Sequence, residues 1–289
     1  MSTIKAGEDK MSKKQLIMDS ALDLFAKQGF EATSVQQITD YCGISKGAFY
    51  LSFKSKDELI IALIDHFMEA FISDIDYIVK TTNNEELLYS FYYTNLQSFH
   101  KHSDFGKIFI KEQTHSLNQD LLGRIRYYNA LMDSTILLMV ERLYGEEITH
   151  IKYDLMYCIK SFVTMYSELF LFNNVVSLDL DLDLLAHSLV EKTNLLAKHT
   201  SIPFLTKEII QVVSQTTDDK VKREQLLELL EQNIKEMDEP IIKESLILLK
   251  QQLLNPNLSP AIVAGLLENI QKNPHCKWVS YLLRHYFQI

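Results

Sequence analysis

Residues 33–59, TSVQQITDYCGISKGAFYLSFKSKDEL, place two short amphipathic helices on either side of one glycine and follow them with a capped, much longer one. That spacing leaves few folds open. Upstream, Ile17, Ala21, Leu24 and Phe25 recur at i, i+4, i+7 and i+8, so an opening helix buries one stripe. Gly29 sits where a C-terminal glycine cap belongs. Thr33 and Gln36 read as a capping box that starts the second helix, whose apolar face is Val35, Ile38 and Cys42. Gly43 supplies the turn, Ile44 plugs the core and Ser45 caps the third helix. In that helix Phe49 faces inward, and Ser45, Lys46, Gly47, Ala48, Tyr50 and Ser52 stay outside. Ser55 and Glu58 form a second capping box, launching a helix that runs to about Lys80.

This is the outline of a helix-turn-helix, in which the helix after the turn lies in a DNA major groove. The outward groups suit a phosphate-lined groove. Gly47 and Ala48 carry no bulk, so backbone can approach closely; Thr33, Ser45 and Tyr50 offer hydroxyls; Lys46 and Lys56 offer charge. Lys56 falls in the first turn of the long helix, where amides and a positive charge share one phosphate. A blander reading, in which these residues only cap and solvate a small bundle, fits the same spacing.

Residues 12–71 resemble the DNA-binding domain of TetR-type transcriptional regulators. ALDLFAKQGFEATSVQQI is similar to the first helix and turn of that family, and GISKGAFYLSFKSKDEL to its recognition helix and the helix after it. The resemblance implies phosphate or base-edge contacts for Thr33, Ser45, Lys46, Gly47, Ala48, Tyr50, Ser52 and Lys56, and core positions for Phe49 and Phe53. Two positions depart from the family pattern. Leu51 stands where an aromatic or polar residue is frequent, and Ser52 where histidine is common.

Composition bounds the remainder. The chain has 289 residues, 47% hydrophobic and 23% charged, which is ordinary for a globular protein with two or three helical units. Eight glycines and five prolines are few enough to favour an all-α fold. No run of about 18 uncharged apolar residues suggests a membrane span. Residues 1–11 are polar and read as a disordered lead-in, without the apolar segment of a signal peptide. Cys42, Cys158 and Cys276 are far apart and fit a reducing cytoplasm. The net charge of −9 is an awkward one for a nucleic-acid binder, but it is unevenly spread. Residues 1–60 carry 8 basic and 8 acidic groups, 61–202 carry 11 and 19, and 203–289 carry 10 and 11. The acidity belongs to the middle, and a neutral head with its lysines on one face still binds phosphates in a salt-sensitive way.

The middle, residues 72–202, reads as amphipathic helix rich in aromatics and methionine. Most of these are core by spacing, while the family resemblance implies a small-molecule pocket among them. Tyr93, Phe109, Tyr127, Met132, Tyr166 and Glu168 are the candidates, for a small hydrophobic effector that is neutral or cationic. Glu168 would meet a cation, or else sits at the wet edge of its helix. Leu155, Ile159, Phe162, Val163, Tyr166 and Phe170 form one apolar stripe, and Leu182, Leu185, Leu189 and Leu196 another. The TetR resemblance implies that such a pair makes a homodimer on a near-palindromic operator.

Residues 203–289 extend beyond where TetR-like chains commonly end. Pro240, Pro260 and Pro274 each mark a helix start, so four or five helices are expected, with Trp278, Tyr281, Tyr286 and Phe287 packing them onto the body. No nucleophile elbow, phosphate loop or metal-binding spacing argues for an enzyme, a cofactor or a metal. The resemblance implies a ligand-responsive repressor of an efflux or stress operon. The other reading is a DNA-binding regulator without an effector, its C-terminal extension serving as a protein-interaction module.

Overall fold

The computed structural model describes residues 13–115, 118–171, 180–214 and 223–289, and every regular element among them is helical. The expected lead-in, residues 1–11, lies outside the described residues. Two compact units can be distinguished, one of residues 1–67, 96–125 and 162–182, the other of 68–95, 126–161 and 183–289.

The first unit begins with α1 (Lys13–Gln28), α2 (Val35–Cys42) and α3 (Lys46–Ser52), followed by the opening turns of α4 (Lys56–Thr81). Ile17, Ala21 and Phe25 of α1, Ile38 of α2, Phe49 of α3 and Leu59 and Ile60 of α4 are all closed to solvent, and α2 and α3 pack against α1. Each of the two turns that join these helices has a glycine with positive φ. Gly29 ends α1 at φ 92°, its N–H bonded to the Phe25 carbonyl at 2.8 Å. Gly43 ends α2 at φ 67°, a left-handed conformation that costs other residues steric strain. Also in this unit are the end of α5 (Asn84–Lys101), all of α6 (Ser103–His115) and the start of α7 (Gln119–Tyr144). α6 packs on α1, Phe67 stacks on Phe105 at 4.4 Å, and Arg124 pairs with Asp65 at 3.0 Å.

The second unit holds the rest of α4, α5 and α7, the first half of α8 (Lys152–Leu171), whose second half belongs to the first unit, nearly all of α9 (Leu182–His199), and then α10 (Lys207–Ser214), α11 (Arg223–Glu236), α12 (Pro240–Leu254), α13 (Pro260–Gln271) and α14 (Lys277–Phe287). Arg142 of α7 closes the end of α4, donating to the carbonyls of Val79 at 2.6 Å and Thr82 at 2.5 Å, groups a helix C-terminus leaves unpaired. Tyr92 and Thr193 share a buried hydrogen bond of 2.6 Å, and burial pushes the Tyr92 phenol well above its ordinary pKa. Of the leucine stripe of α9, Leu182, Leu185 and Leu196 are half-buried. Leu189 is buried in this unit, while Leu184 and Leu195 on another face of the helix are exposed.

The extension has five described helices, with Pro240 and Pro260 in the first turns of α12 and α13 and Pro274 opening a short 3-10 turn before α14. Proline fits there because a first-turn N–H has no intrahelical acceptor to lose. Leu230, Leu246, Leu249, Leu267, Ile270 and Leu283 are buried in its core. Trp278 lies against Tyr128 of α7 with ring centroids 6.2 Å apart and stacks on the buried Tyr281, while Lys277 pairs with Asp74 of α4. Tyr286 is exposed, turned away from that contact. Burial pushes the Cys276 thiol up to about 11, so it stays protonated near neutral pH.

Candidate nucleic-acid interface

Ser34, one residue later than the spacing of Thr33 and Gln36 suggests, caps α2. Its Oγ accepts from the Gln37 N–H at 3.2 Å, and its own N–H donates to Gln37 Oε1 at 2.8 Å, a complete reciprocal box. Thr33 is turned inward instead. It is 1% exposed, donates to the Gly29 carbonyl at 2.7 Å and accepts from Gln28 Nε2 at 3.1 Å, tying the α1–α2 turn together.

The turn between α2 and α3 follows the sequence closely. The N–H groups of Gly43 and Ile44 donate to the carbonyls of Asp40 and Thr39, and Ser45 Oγ accepts from the Ala48 N–H at 3.2 Å as N-cap of α3. Phe49 is fully enclosed, with Phe53 6.1 Å away and Tyr50 against its edge at 5.4 Å. These contacts fix the rotation of α3, so its opposite side faces solvent. There Lys46 and Gly47 are exposed, Ala48 and Ser52 are half-buried, and Tyr50 is 53% exposed. Ser52 Oγ approaches the Ala48 carbonyl at 3.4 Å, a long bond that leaves the hydroxyl easily recruited elsewhere. Leu51 is 91% exposed, a residue the sequence marks only as a departure from the family pattern.

Ser55 Oγ accepts from the Glu58 N–H at 3.0 Å, and the Glu58 carboxylate reaches the Lys54 N–H at 2.7 Å, so the box opening α4 closes one residue wider than its usual form. Lys56 crosses to the first turn. Its ammonium donates to the carbonyls of Phe30 at 2.7 Å and Thr33 at 3.0 Å and lies 4.2 Å from the centre of the Phe30 ring. Two carbonyls and an aromatic face thus hold this lysine, and through it the start of α4 is bound to the loop before α2. Lys14 lies 5.5 Å from the Phe53 ring centre, and Lys54 is exposed; neither stands out in the sequence, where they are ordinary surface lysines.

The six residues suggested for an effector divide between the two units. Phe109, Tyr166 and Glu168 belong to the first, where Phe109 is buried beside Phe105 and the other two are half-buried. Tyr93, Tyr127 and Met132 belong to the second and are half-buried, Tyr93 stacked 5.7 Å from Tyr89 and Tyr127 against Tyr128. Next to Met132, Asp133 pairs with Lys160; burial raises its carboxyl pKa and the lysine opposes the rise. Among the described residues no helix is long and apolar enough to cross a membrane, and no group of three side chains is placed to hold a metal ion.

Residues 17–63 match the profile of the bacterial regulatory proteins of the tetR family. Over nearly its whole length the chain is similar to two HTH-type transcriptional regulators of Bacillus subtilis strain 168. YerO is 28% identical over 269 residues, 89% of this chain and 89% of its own, and YuxN is 24% identical over 94% of this chain and 98% of its own. In three dimensions the chain is similar to the transcriptional regulator FadR from Bacillus subtilis, solved in complex with stearoyl-CoA, at a TM-score of 0.55 and 18% identity, covering 65% of this chain and 100% of FadR. That likeness is one of fold. About a third of the chain lies outside it, whereas the YuxN match leaves too little uncovered to omit the C-terminal helices.

Proposed function

We propose that this chain, a DNA-binding transcriptional regulator whose N-terminal domain belongs to the tetR family, is a ligand-responsive repressor. It binds a near-palindromic operator as a homodimer in the cytoplasm and leaves it when a small hydrophobic effector binds. The observation that carries this reading is the surface of α3. Lys46, Gly47 and Tyr50 stand outside a helix whose start is capped by Ser45 and whose inner side is locked by Phe49. Lys46 and Tyr50 donate to phosphates, Gly47 and Ala48 admit the sugar-phosphate chain, and Ser45 and Ser52 add hydroxyls at the edge of the contact. Thr33 and Lys56 serve the same contact from inside, by holding the turn and the start of α4 in register.

Dimerisation is supported by apolar surface in the second unit. Ile202 and Phe204 are 82% and 75% exposed, yet the backbone beneath them is anchored, since the N–H groups of Phe204 and Leu205 donate to the Asp154 carboxylate at 3.2 and 3.1 Å. Leu184 and Leu195 of α9 are exposed as well, and apolar side chains left open in this way suit burial by a second copy. For the effector, acyl-CoA thioesters are the first compounds to offer, because FadR shares the fold and was solved with one. Such a ligand acts only by binding the DNA-free arrangement more tightly than the DNA-bound one. The regulated genes we propose are an efflux or stress operon.

The test is a salt series. Operator affinity should fall steeply with salt, and Lys46→Ala should flatten the slope of log K against log salt by about 0.9 per protomer, roughly two for a dimer. A slope identical to that of the wild type would remove Lys46 from the phosphate contact.

A further inference from the structure

We propose that Leu51 reads thymine, packing its isobutyl group on the 5-methyl of one thymine in each half-site. The inference rests on the reading of α3 as the helix that enters the groove, and adds a specificity determinant to it.

Singly exposed leucines are common on protein surfaces and need no explanation by themselves. What distinguishes this one is its place. In the same helical head Ile17, Phe25, Ile38, Phe49 and Phe53 are enclosed and Leu16, Leu22, Leu24 and Ile44 are half-buried, whereas Leu51 is 91% exposed. Side chains on a helix lean toward its N-terminus, so Leu51 lies over the turn that contains Gly47, its i−4 neighbour. That surface is bare. A Cβ added to Gly47 would meet nothing nearer than Ser45 Oγ at 3.7 Å, so no side chain shields Leu51 on that side. Lys46 and Tyr50, themselves i and i+4, bring charge and a hydroxyl on the adjacent stripe. A hydrocarbon group therefore projects from the surface that the lysine and the tyrosine present to a polyanion.

The chemistry of the groove then selects the base. Major-groove edges offer hydrogen-bond donors or acceptors at every base, and thymine alone adds to its O4 acceptor a carbon group, the 5-methyl. Leucine has neither donor nor acceptor. Pressed on a polar edge it would strip water from groups it cannot satisfy; pressed on a methyl group it removes apolar surface from water on both sides.

The experiment selects bound sequences from random duplexes with the wild-type protein, then replaces each half-site thymine in turn with deoxyuridine, which lacks only the methyl. At one position per half-site, wild-type affinity should fall about five- to tenfold when both half-sites are changed. Leu51→Ala, at an exposed position that does not threaten folding, should bind the thymine operator more weakly by a similar factor and be indifferent to uracil at that position alone. Its sensitivity to Lys46→Ala should be unchanged. A wild-type protein insensitive to uracil everywhere, or a Leu51→Ala protein that keeps the full uracil effect, would overturn the assignment while leaving DNA binding intact. A wild-type protein that selects no sequence overturns the underlying reading, and this one with it.

Discussion

Replacing Phe49 with alanine is expected to cost about 3–5 kcal/mol, the range for removing a fully enclosed phenylalanine, and to abolish operator binding together with the native signal of the first unit. Phe49 is the buried side chain of α3, with no exposed surface and its ring near those of Tyr50 and Phe53, on a helix that packs against α1 and α2. α3 has seven residues, too few to hold its own shape in water. Its conformation comes from this one large contact, the Ser45 cap and the turn at Gly43. Marginal stability makes a loss of this size a large share of what a domain possesses. Urea unfolding followed by far-UV circular dichroism, alongside a binding titration, checks the expectation. A variant with an unchanged midpoint would mean that α3 is held by something other than its inner face.

The second large effect separates two residues that look alike in sequence. Lys56→Ala should lower both stability and DNA affinity, because the Thr33 carbonyl loses its lysine donor and the Phe30 carbonyl keeps only the Thr33 N–H, at about 1–3 kcal/mol for a group left unpaired and shielded from water. Tyr50→Ala should leave the thermal midpoint within about a degree or two, as exposed substitutions usually do, and weaken binding about tenfold or more. Measuring Tm and Kd for both variants tells the roles apart. Equal losses of affinity with no change in either midpoint would place Lys56 among the surface contacts; unchanged affinity in both would remove the pair from the interface.

That contrast marks where sequence reading stops. The helix-turn-helix is legible because its signals are local. Gly43, Ser45 and Phe49 lie within seven residues, and each is demanded by backbone geometry or by one buried contact. The start of α2 is less legible because the pattern is degenerate. Two hydroxyl residues, Thr33 and Ser34, precede two glutamines, Gln36 and Gln37, and spacing alone fits either pair. Thr33 is decided by a bond to Gly29 at the far side of the turn. Lys56 is harder still, since its partner carbonyls lie 23 and 26 residues earlier and a carbonyl leaves no trace in composition.

The same limit governs the body. The aromatic stripes announce helices, and helices are found, but a stripe does not say which neighbour it meets. The leucines of α9 suggest an interface between copies; Leu189 is closed within its own unit, Leu182, Leu185 and Leu196 are half-buried, and Leu184 and Leu195 are exposed. For the effector residues, periodicity cannot tell that Phe109 and Tyr127 belong to different units, because helices such as α7 contribute to both. In the extension the reverse holds. Proline at a helix start is a local rule, and α12 and α13 begin where Pro240 and Pro260 require.

The most direct measurement is a footprint of the purified full-length protein on the DNA flanking its own gene, repeated across a salt series. Two protected half-sites related by approximate two-fold symmetry, their centres about 10 base pairs or a multiple of that apart, and fading steeply as salt rises, are expected of a dimer that presents α3 to successive major grooves. No protection at low salt, on this DNA or on fragments of the genome, would contradict the assignment of α3 as a reader of DNA.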